Sequence, residues 1–118
     1  MDYKFNRDRI VRSAVKGVLE TLPGGKATIT ATYDVEEILA GPTRDVSKIV
    51  AEVGSMDEEA VHFFDKTGNE VGWIHLVSDY GGNPGEVMCN WTTNLDEGMA
   101  KALELSGRIM DRWDAQDD

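Results

Sequence analysis

Hydrophobic residues in the first 25 positions recur at helical spacing, which predicts an amphipathic helix. Arg9, Arg12 and Lys16 fall together on the opposite side of this helix. Asn6 is the expected N-cap, and Pro23-Gly24-Gly25 is a clear stop signal. The apolar side of the predicted helix consists of Ile10, Val11, Ala14, Val15, Val18 and Leu22.

The pattern changes in the next 30 residues. Residues 27–33 alternate apolar side chains with threonine, which predicts a strand with one solvated face. Asp34 followed by Glu37 has the form of a helix start, so we expect a short turn of helix that ends at Gly41-Pro42. Residues 44–53 fit a helix, although their β-branched content suits a strand equally well. The helical spacing there is carried by Val46, Ile49, Val50 and Val53.

The second half of the chain predicts a three-stranded antiparallel meander. Residues 60–65 and 70–78 flank a four-residue turn, 66–69, whose glycine and asparagine tolerate a positive φ. A glycine-rich loop, residues 80–85, then leads into a third strand at residues 87–92.

A closing helix is predicted from Leu95 to about Trp113, with Asn94 as its cap and Glu97 at the third helical position. Residues 114–118 are expected to fray. The fold class that follows is α+β: a small antiparallel sheet, made of the meander plus one further strand, packed against N-terminal and C-terminal helices. With 118 residues, the chain is expected to form one domain, 1–118.

The two faces of the predicted sheet differ in character. Pairing residue 62 with 73, and 64 with 71, gives one face of core residues: Val61, Phe63, Ile74, Leu76, Cys89 and Trp91. The other face is aromatic and carries histidine, with His62, Phe64, Val71, Trp73, His75, Val77, Met88, Asn90 and Thr92. We expect something to cover it, either the 46–53 helix, a second copy of the chain, or a ligand.

The closing helix presents a buried stripe and a charged stripe. Arg108 and Arg112 lie one turn apart on the charged side, where two guanidinium groups can clamp phosphates. A solvated face with ion pairs such as Glu104–Arg108 explains the same residues, so both interpretations stay open. The charged stripe consists of Glu97, Lys101, Glu104, Arg108 and Arg112, and the buried one of Leu95, Met99, Ala102, Leu103, Ile109, Met110 and Trp113.

Charge narrows the classes of partner. The chain has 12 basic and 22 acidic residues, a formal net charge of −10, and its first 17 residues alone carry +3. This balance argues against direct nucleic-acid binding, because basic residues supply most of that affinity. It favours a basic partner surface or a mimic of nucleic acid, although solubility alone also explains it.

Motifs for catalysis and metal binding are weak. His62 and His75 share one predicted face whereas Cys89 points to the other, which argues against a zinc site or a Cys/His nucleophile pair. We therefore expect no enzyme, no metal and no cofactor. The longest apolar runs fall short of the roughly 18 residues of a membrane span, and no secretory signal is evident. With a single cysteine, the protein is expected in a reducing cytoplasm.

The segment from Phe63 to Val77, the glycine-rich loop, and then Asn90-Trp91-Thr92-Thr93-Asn94-Leu95 form a layout found in small phage-encoded proteins. Over residues 60–113, the chain resembles the Thoeris anti-defence family of viral sponges. The resemblance implies a homo-oligomer in the host cytoplasm that sequesters a cyclic ADP-ribose-type or cyclic nucleotide signal without cleaving it. It also implies a pocket at a subunit boundary, with the site residues Arg108, Arg112, Trp73, Asn90 and His75.

In that implied site, the two arginines meet phosphates, Trp73 stacks on a base and Asn90 donates or accepts a hydrogen bond. A binder of a small nucleotide is therefore the leading hypothesis. The alternative is an acidic inhibitor that docks on the basic, nucleic-acid-binding surface of a host defence protein. A structural or accessory phage protein with no ligand is a third hypothesis.

Overall fold

The N-terminal amphipathic sequence forms the helix α1, Tyr3–Glu20. The computed structural model describes residues 3–32, 37–78 and 86–116. The helix begins three residues before Asn6, so the prediction that Asn6 caps it is wrong. Asn6 is an interior helical residue, only 1% exposed. Arg9, Arg12 and Lys16 lie on the exposed side, as predicted.

Five strands form one antiparallel sheet, which confirms the α+β class with one strand more than predicted. Their order across the sheet is β2-β1-β3-β4-β5, so the three C-terminal strands form the expected meander. The strands are β1 Lys26–Ala31, β2 Glu37–Thr43, β3 Glu58–Phe64, β4 Glu70–Val77 and β5 Met88–Trp91.

The edge strand β2 replaces the short helix that we expected to end at Gly41-Pro42. Residues 37–43 pair with β1 instead, with Ile38 opposite Thr30 and Ala40 opposite Ile29. A proline is tolerated here because the strand lies at the sheet edge, where its missing N–H breaks no internal ladder. Gly41 takes a φ of 100° and precedes a cis proline bond.

The ambiguous segment that follows is helical, so the helix prediction is confirmed over its central part. The helix α2, Val46–Ala51, is capped by Asp45, whose side chain accepts a hydrogen bond from Ser47 N. Ile49 belongs to the same buried core cluster as the apolar side of α1, and Val50 is also buried. Because α2 contacts α1 and the β1–β2 edge, it lies on the helix-covered side of the sheet.

The closing helix α3, Asp96–Gln116, follows a 3-10 turn, Thr93–Leu95. Asn94 lies within that turn and donates from Nδ2 to Val71 O, so it is not the predicted cap. The helices α1 and α3 pack closely at Gly17 and Gly98, where either Cβ would overlap the facing backbone. No helix in the described part of the chain combines the length and the apolar character that crossing a membrane requires.

The core lies between the sheet and the layer of helices. Val61, Phe63, Ile74 and Leu76 are buried in it as predicted, and Trp91 packs against its margin. The predicted places of Cys89 and Met88 are reversed. A register shift between His75 and Leu76 pairs Leu76 with Met88, so Met88 is buried and Cys89 is exposed.

The burial and backbone conformation of other residues also differ from what the sequence pattern predicts. Thr28 and Thr30, expected on a solvated face, are buried between neighbouring strands, and Leu103 of the predicted buried stripe is exposed. Gly68 alone supplies the positive φ of the 66–69 turn, without Asn69. The predicted helix start at Asp34, the glycine-rich loop at 80–85, the side chain of Trp113 and the frayed end fall wholly or partly outside the described residues.

Candidate functional site

The sheet face turned away from the three helices is called the outer face here. Its half-buried side chains include His62, Phe64, Trp73 and His75, which alternate along β3 and β4 with the core residues. The expectation that the 46–53 helix covers this face is wrong, because α2 packs on the opposite side. A ligand or a second copy of the chain remains as the expected cover.

An open groove of about 900 Å³ runs over the β2-β1-β3 part of the outer face. We call it the outer groove. Strand β2 contributes Ile38 and Pro42 to it, and Ile38 is 63% exposed. The other side chains that line it include Lys26, Thr28, Thr30, His62, Phe64, Asp65, Lys66 and Glu70. The groove therefore combines apolar, hydroxyl, imidazole and charged groups in one concave surface.

A chain of three polar side chains crosses the outer groove. Glu70 Oε1 lies 2.8 Å from His62 Nδ1, and His62 Nε2 lies 3.2 Å from Thr30 Oγ1. An ionised carboxylate only accepts hydrogen bonds, so the tautomer that fits this contact is the one in which the Nδ1–H group of His62 donates to Glu70 Oε1. In the neutral ring, Nε2 then accepts from the Thr30 hydroxyl. His62 is thereby held in one orientation from both sides.

This order of carboxylate, imidazole and hydroxyl is also that of nucleophilic hydrolases. Thr30 is only 4% exposed, however, and its Oγ1 also lies 3.5 Å from Ala60 O. A nucleophile must reach its substrate, and this hydroxyl is set into the sheet surface between β1 and β3. The arrangement therefore suits the positioning of His62 better than covalent chemistry.

The sequence pattern did not predict these contacts between Glu70, His62 and Thr30, because the hairpin contains one register shift. The predicted pairing of 62 with 73 is confirmed, but a shift after Phe63 pairs Phe64 with Glu70 and not with Val71. The shift brings the Glu70 carboxylate over His62. An acidic residue at the first position after a hairpin turn, on the same sheet as a histidine, was the available signal.

Charges of both signs line the hairpin end of the outer groove. Lys26 and Lys66 are exposed there, next to Asp65 and Glu70. Hydrogen bonds, first from the Thr67 hydroxyl and then from backbone N–H groups, lower the pKa of Asp65 below its usual range. Its Oδ1 accepts from Thr67 Oγ1 at 2.6 Å and from Asn69 N at 3.1 Å. Asp65 thus orders the turn that carries Lys66.

Three of the five predicted ligand-binding residues are neighbours on the outer face. Trp73 pairs with His62, and His75 pairs with Asn90 on β5. Asn90 is exposed, and its Oδ1 accepts from Trp91 N. His75 Nε2 is buried and makes no hydrogen bond within the described part of the chain.

The two predicted arginines lie elsewhere. Arg108 and Arg112 are exposed on α3, whose buried side faces the core, and Arg108 forms an ion pair with Glu104 at 3.4 Å. The α3 layer and the outer face are separated by the thickness of the sheet and its core. One copy of the chain therefore does not bring these arginines to Trp73.

Metal and thiol chemistry gain no support from the side-chain arrangement. Across residues 3–32, 37–78 and 86–116, no three His, Cys, Asp or Glu side chains converge as a metal site would require. Cys89 donates weakly to His75 O, and desolvation raises the pKa of its thiol, which disfavours the reactive thiolate.

Comparison of the chain with protein-family models, with curated proteins and with solved structures gives no match.

Proposed function

We propose that the protein binds a small nucleotide-like ligand in the outer groove and holds it without converting it. The observation that carries the proposal is the groove itself. Its volume of about 900 Å³ falls within the roughly 300–1,000 Å³ of most small-molecule sites. Such sites join apolar walls to a few fixed polar groups, as this groove does.

Each part of a nucleotide has a matching group. Phe64 and Ile38 offer an aromatic ring and an apolar surface against which a base can stack. His62, fixed by Glu70 and Thr30, offers the face of an imidazole ring in a defined orientation. Lys26 and Lys66 provide mobile ammonium groups for phosphate oxygens at the hairpin end.

Retention without turnover is supported by how the polar groups are engaged. The hydroxyl at the end of this set of contacts, that of Thr30, belongs to a residue only 4% exposed, so it holds His62 in place and is poorly accessible to a ligand. The resemblance to anti-defence sponges favours a cyclic nucleotide signal as the ligand. It also favours a homo-oligomer, in which Arg108 and Arg112 of one copy meet the outer face of another.

The proposal is tested by calorimetric titration with linear and cyclic nucleotides. We expect Lys26→Gln/Lys66→Gln to weaken binding by about tenfold or more, because charge-assisted contacts to phosphate are lost. Phe64→Leu keeps an apolar side chain but removes the aromatic ring, so it should also weaken binding. The matched control is Lys16→Gln/Lys48→Gln, which removes the same charge at exposed sites outside the groove and away from the charged stripe of α3.

The outcomes separate two locations for the site. If Lys26→Gln/Lys66→Gln loses binding and Arg108→Gln/Arg112→Gln does not, the result supports a binding site formed by the outer groove of a single copy. Loss in Arg108→Gln/Arg112→Gln as well supports a pocket shared between copies. Equal loss in the control variant, or no binding of any nucleotide, would overturn the proposal.

The exposed acidic residues favour a second candidate, the inhibitor of a basic protein surface. Glu37, Asp57 and Glu58 are exposed at the end of the sheet where β2 and β3 both begin, away from the lysines of the groove. Binding of this kind weakens steeply with salt and needs no small ligand. Glu37→Gln/Glu58→Gln would reduce it while leaving nucleotide titrations unchanged.

A further inference from the structure

The exposed side of α1 carries one aromatic and three cationic side chains in a row. Phe5, Arg9, Arg12 and Lys16 follow one another at intervals of four, three and four residues, so they lie along one line of the helix. All four are exposed, and Phe5 has 59% of its surface exposed. At 1.5 Å per residue, the row is roughly 16 Å long. We call it the basic stripe of α1.

The contacts of the three cations leave their charges available to a partner. The Arg9 guanidinium lies over the Phe5 ring, 5.6 Å from its centroid, so its flat face is in contact and its N–H edges point elsewhere. Arg12 uses one of its five N–H donors on Ser47 Oγ, at 3.1 Å. Within the described residues, no carboxylate forms an ion pair with Arg9, Arg12 or Lys16.

The neighbouring helix α2 widens the basic surface. Because Ser47 accepts from Arg12, the next residue, Lys48, lies beside the stripe, and it is also exposed. The cap of α2 is Asp45, whose carboxylate is engaged by Ser47 N. This end of α2 therefore adds an exposed cation to the three of α1.

The acidic residues of α1 neutralise little of this charge. They are Asp8 and Glu20. Asp8 forms an ion pair with Arg7 at 3.1 Å, whereas Glu20 is exposed one turn beyond Lys16. Positive charge therefore prevails along the stripe, although the whole chain has a net charge of −10.

We propose that the basic stripe of α1 binds an acidic segment of a partner protein. Carboxylates at helical spacing on that segment match the guanidinium groups of Arg9 and Arg12, which accept such partners in a bidentate manner. Lys16 adds a third charge. The exposed Phe5 ring supplies an apolar contact at the end of the row.

The charge of the rest of the chain favours a short segment over a larger polyanion. Exposed charges more than about 8–10 Å apart are largely screened at physiological ionic strength. A short segment on the stripe therefore meets the local positive charge and little of the negative remainder. A nucleic-acid duplex or an anionic bilayer presents negative charge over a much larger area, so it would also face the acidic surfaces.

The test is fluorescence anisotropy with a labelled helical peptide of about 12 residues, long enough to cover the stripe at 1.5 Å per residue. Its glutamates occupy one face, and a leucine lies at one end of that face. We expect saturable binding that weakens as salt is added. Arg9→Gln/Lys16→Gln should weaken it by about fivefold, because two exposed ion pairs are lost. Lys26→Gln/Lys66→Gln is the matched control, because it removes the same charge from exposed positions in the outer groove.

Equal weakening in the control variant, equal binding of a peptide with glutamine in place of glutamate, or no saturable binding would overturn the proposal. Tighter binding of a DNA duplex, or of phosphatidylcholine vesicles that contain phosphatidylserine, would also overturn it in favour of a different anionic partner. Arg9 and Lys16 lie outside the outer groove, so Arg9→Gln/Lys16→Gln should leave nucleotide titrations unchanged. Failure of this proposal and failure of the nucleotide site are therefore distinguishable.

Discussion

A buried glutamate makes the stability of this protein depend on pH in a defined direction. Glu59 lies in β3 between Ala31 and Leu76, with none of its surface exposed. Its Oε1 accepts from Gly54 N at 2.7 Å, whereas Oε2 is buried and makes no hydrogen bond within the described residues. Burial raises the pKa of Glu59 from 4.5 to about 7, against smaller opposing effects of backbone hydrogen bonds and Arg7.

The sign and size of the effect follow from proton linkage. Because the pKa is raised in the folded state, the native protein keeps a proton between pH 4.5 and about 7 that the unfolded chain has lost. The free energy of unfolding attributable to Glu59 therefore falls as pH rises through this window. One pKa unit corresponds to about 1.4 kcal/mol, so the complete loss is about 3 kcal/mol.

Glu59→Gln isolates this contribution, because glutamine keeps an acceptor for Gly54 N but does not titrate. Urea unfolding, followed by tryptophan fluorescence at pH 5, 6, 7 and 8, gives the free energy of each protein. We expect Glu59→Gln to gain stability relative to the parent as pH rises, by about 2–3 kcal/mol in total. Glu58→Gln, at the exposed neighbouring position, is the control and should show no such trend. If the difference in unfolding free energy between the two proteins stays constant across this pH range, Glu59 does not have a raised pKa in the folded state.

Four further substitutions test the packing and the hydrogen bonds that follow α1. Gly17→Ala should destabilise the fold by more than about 2 kcal/mol, because its Cβ would overlap Gly98 O where α1 and α3 meet. Gly107→Ala, in an open part of α3, should instead stabilise it by up to about 1 kcal/mol. Arg44→Ala should cost about 1–3 kcal/mol, since its guanidinium donates to Leu19 O in the last turn of α1 and to Leu22 O and Gly25 O in the turn that follows, at 2.6–3.2 Å. Gly72→Ala should cost about 1–3 kcal/mol through contact with the side chains of Thr92 and Leu95. Thermal unfolding measures all four, and a Gly17→Ala protein as stable as Gly107→Ala would contradict the assigned helix contact.

The sequence pattern predicts which segments form helices and strands better than it predicts which segments contact each other. The 3.6-residue spacing of Val46, Ile49 and Val50 correctly indicates α2, and the alternation along β3 and β4 identifies their core face. The strand β2 could not be predicted from its own sequence. Its proline and glycine are typical of a helix end, and only its pairing with β1, a contact between segments, makes it a strand.

Register shifts limit what the pattern reveals about the site. A two-residue period holds Trp73 and His75 on one face, so their proximity was predictable. The shift beside His75 exchanges Cys89 and Met88, and the shift after Phe63 brings Glu70 to His62. The position of neither shift follows from residue order, and the only signal for the second was the acidic residue directly after the hairpin turn. The outer groove itself depends on β2, so the sequence alone could not predict it.

The most direct test of the proposed function is native mass spectrometry of the protein, first as purified and then with linear and cyclic nucleotides added. We expect a discrete nucleotide mass on the wild-type protein and its reduction in Lys26→Gln/Lys66→Gln at an unchanged oligomeric state. A wild-type protein that gains no mass with any nucleotide would show that the proposed nucleotide binding is wrong.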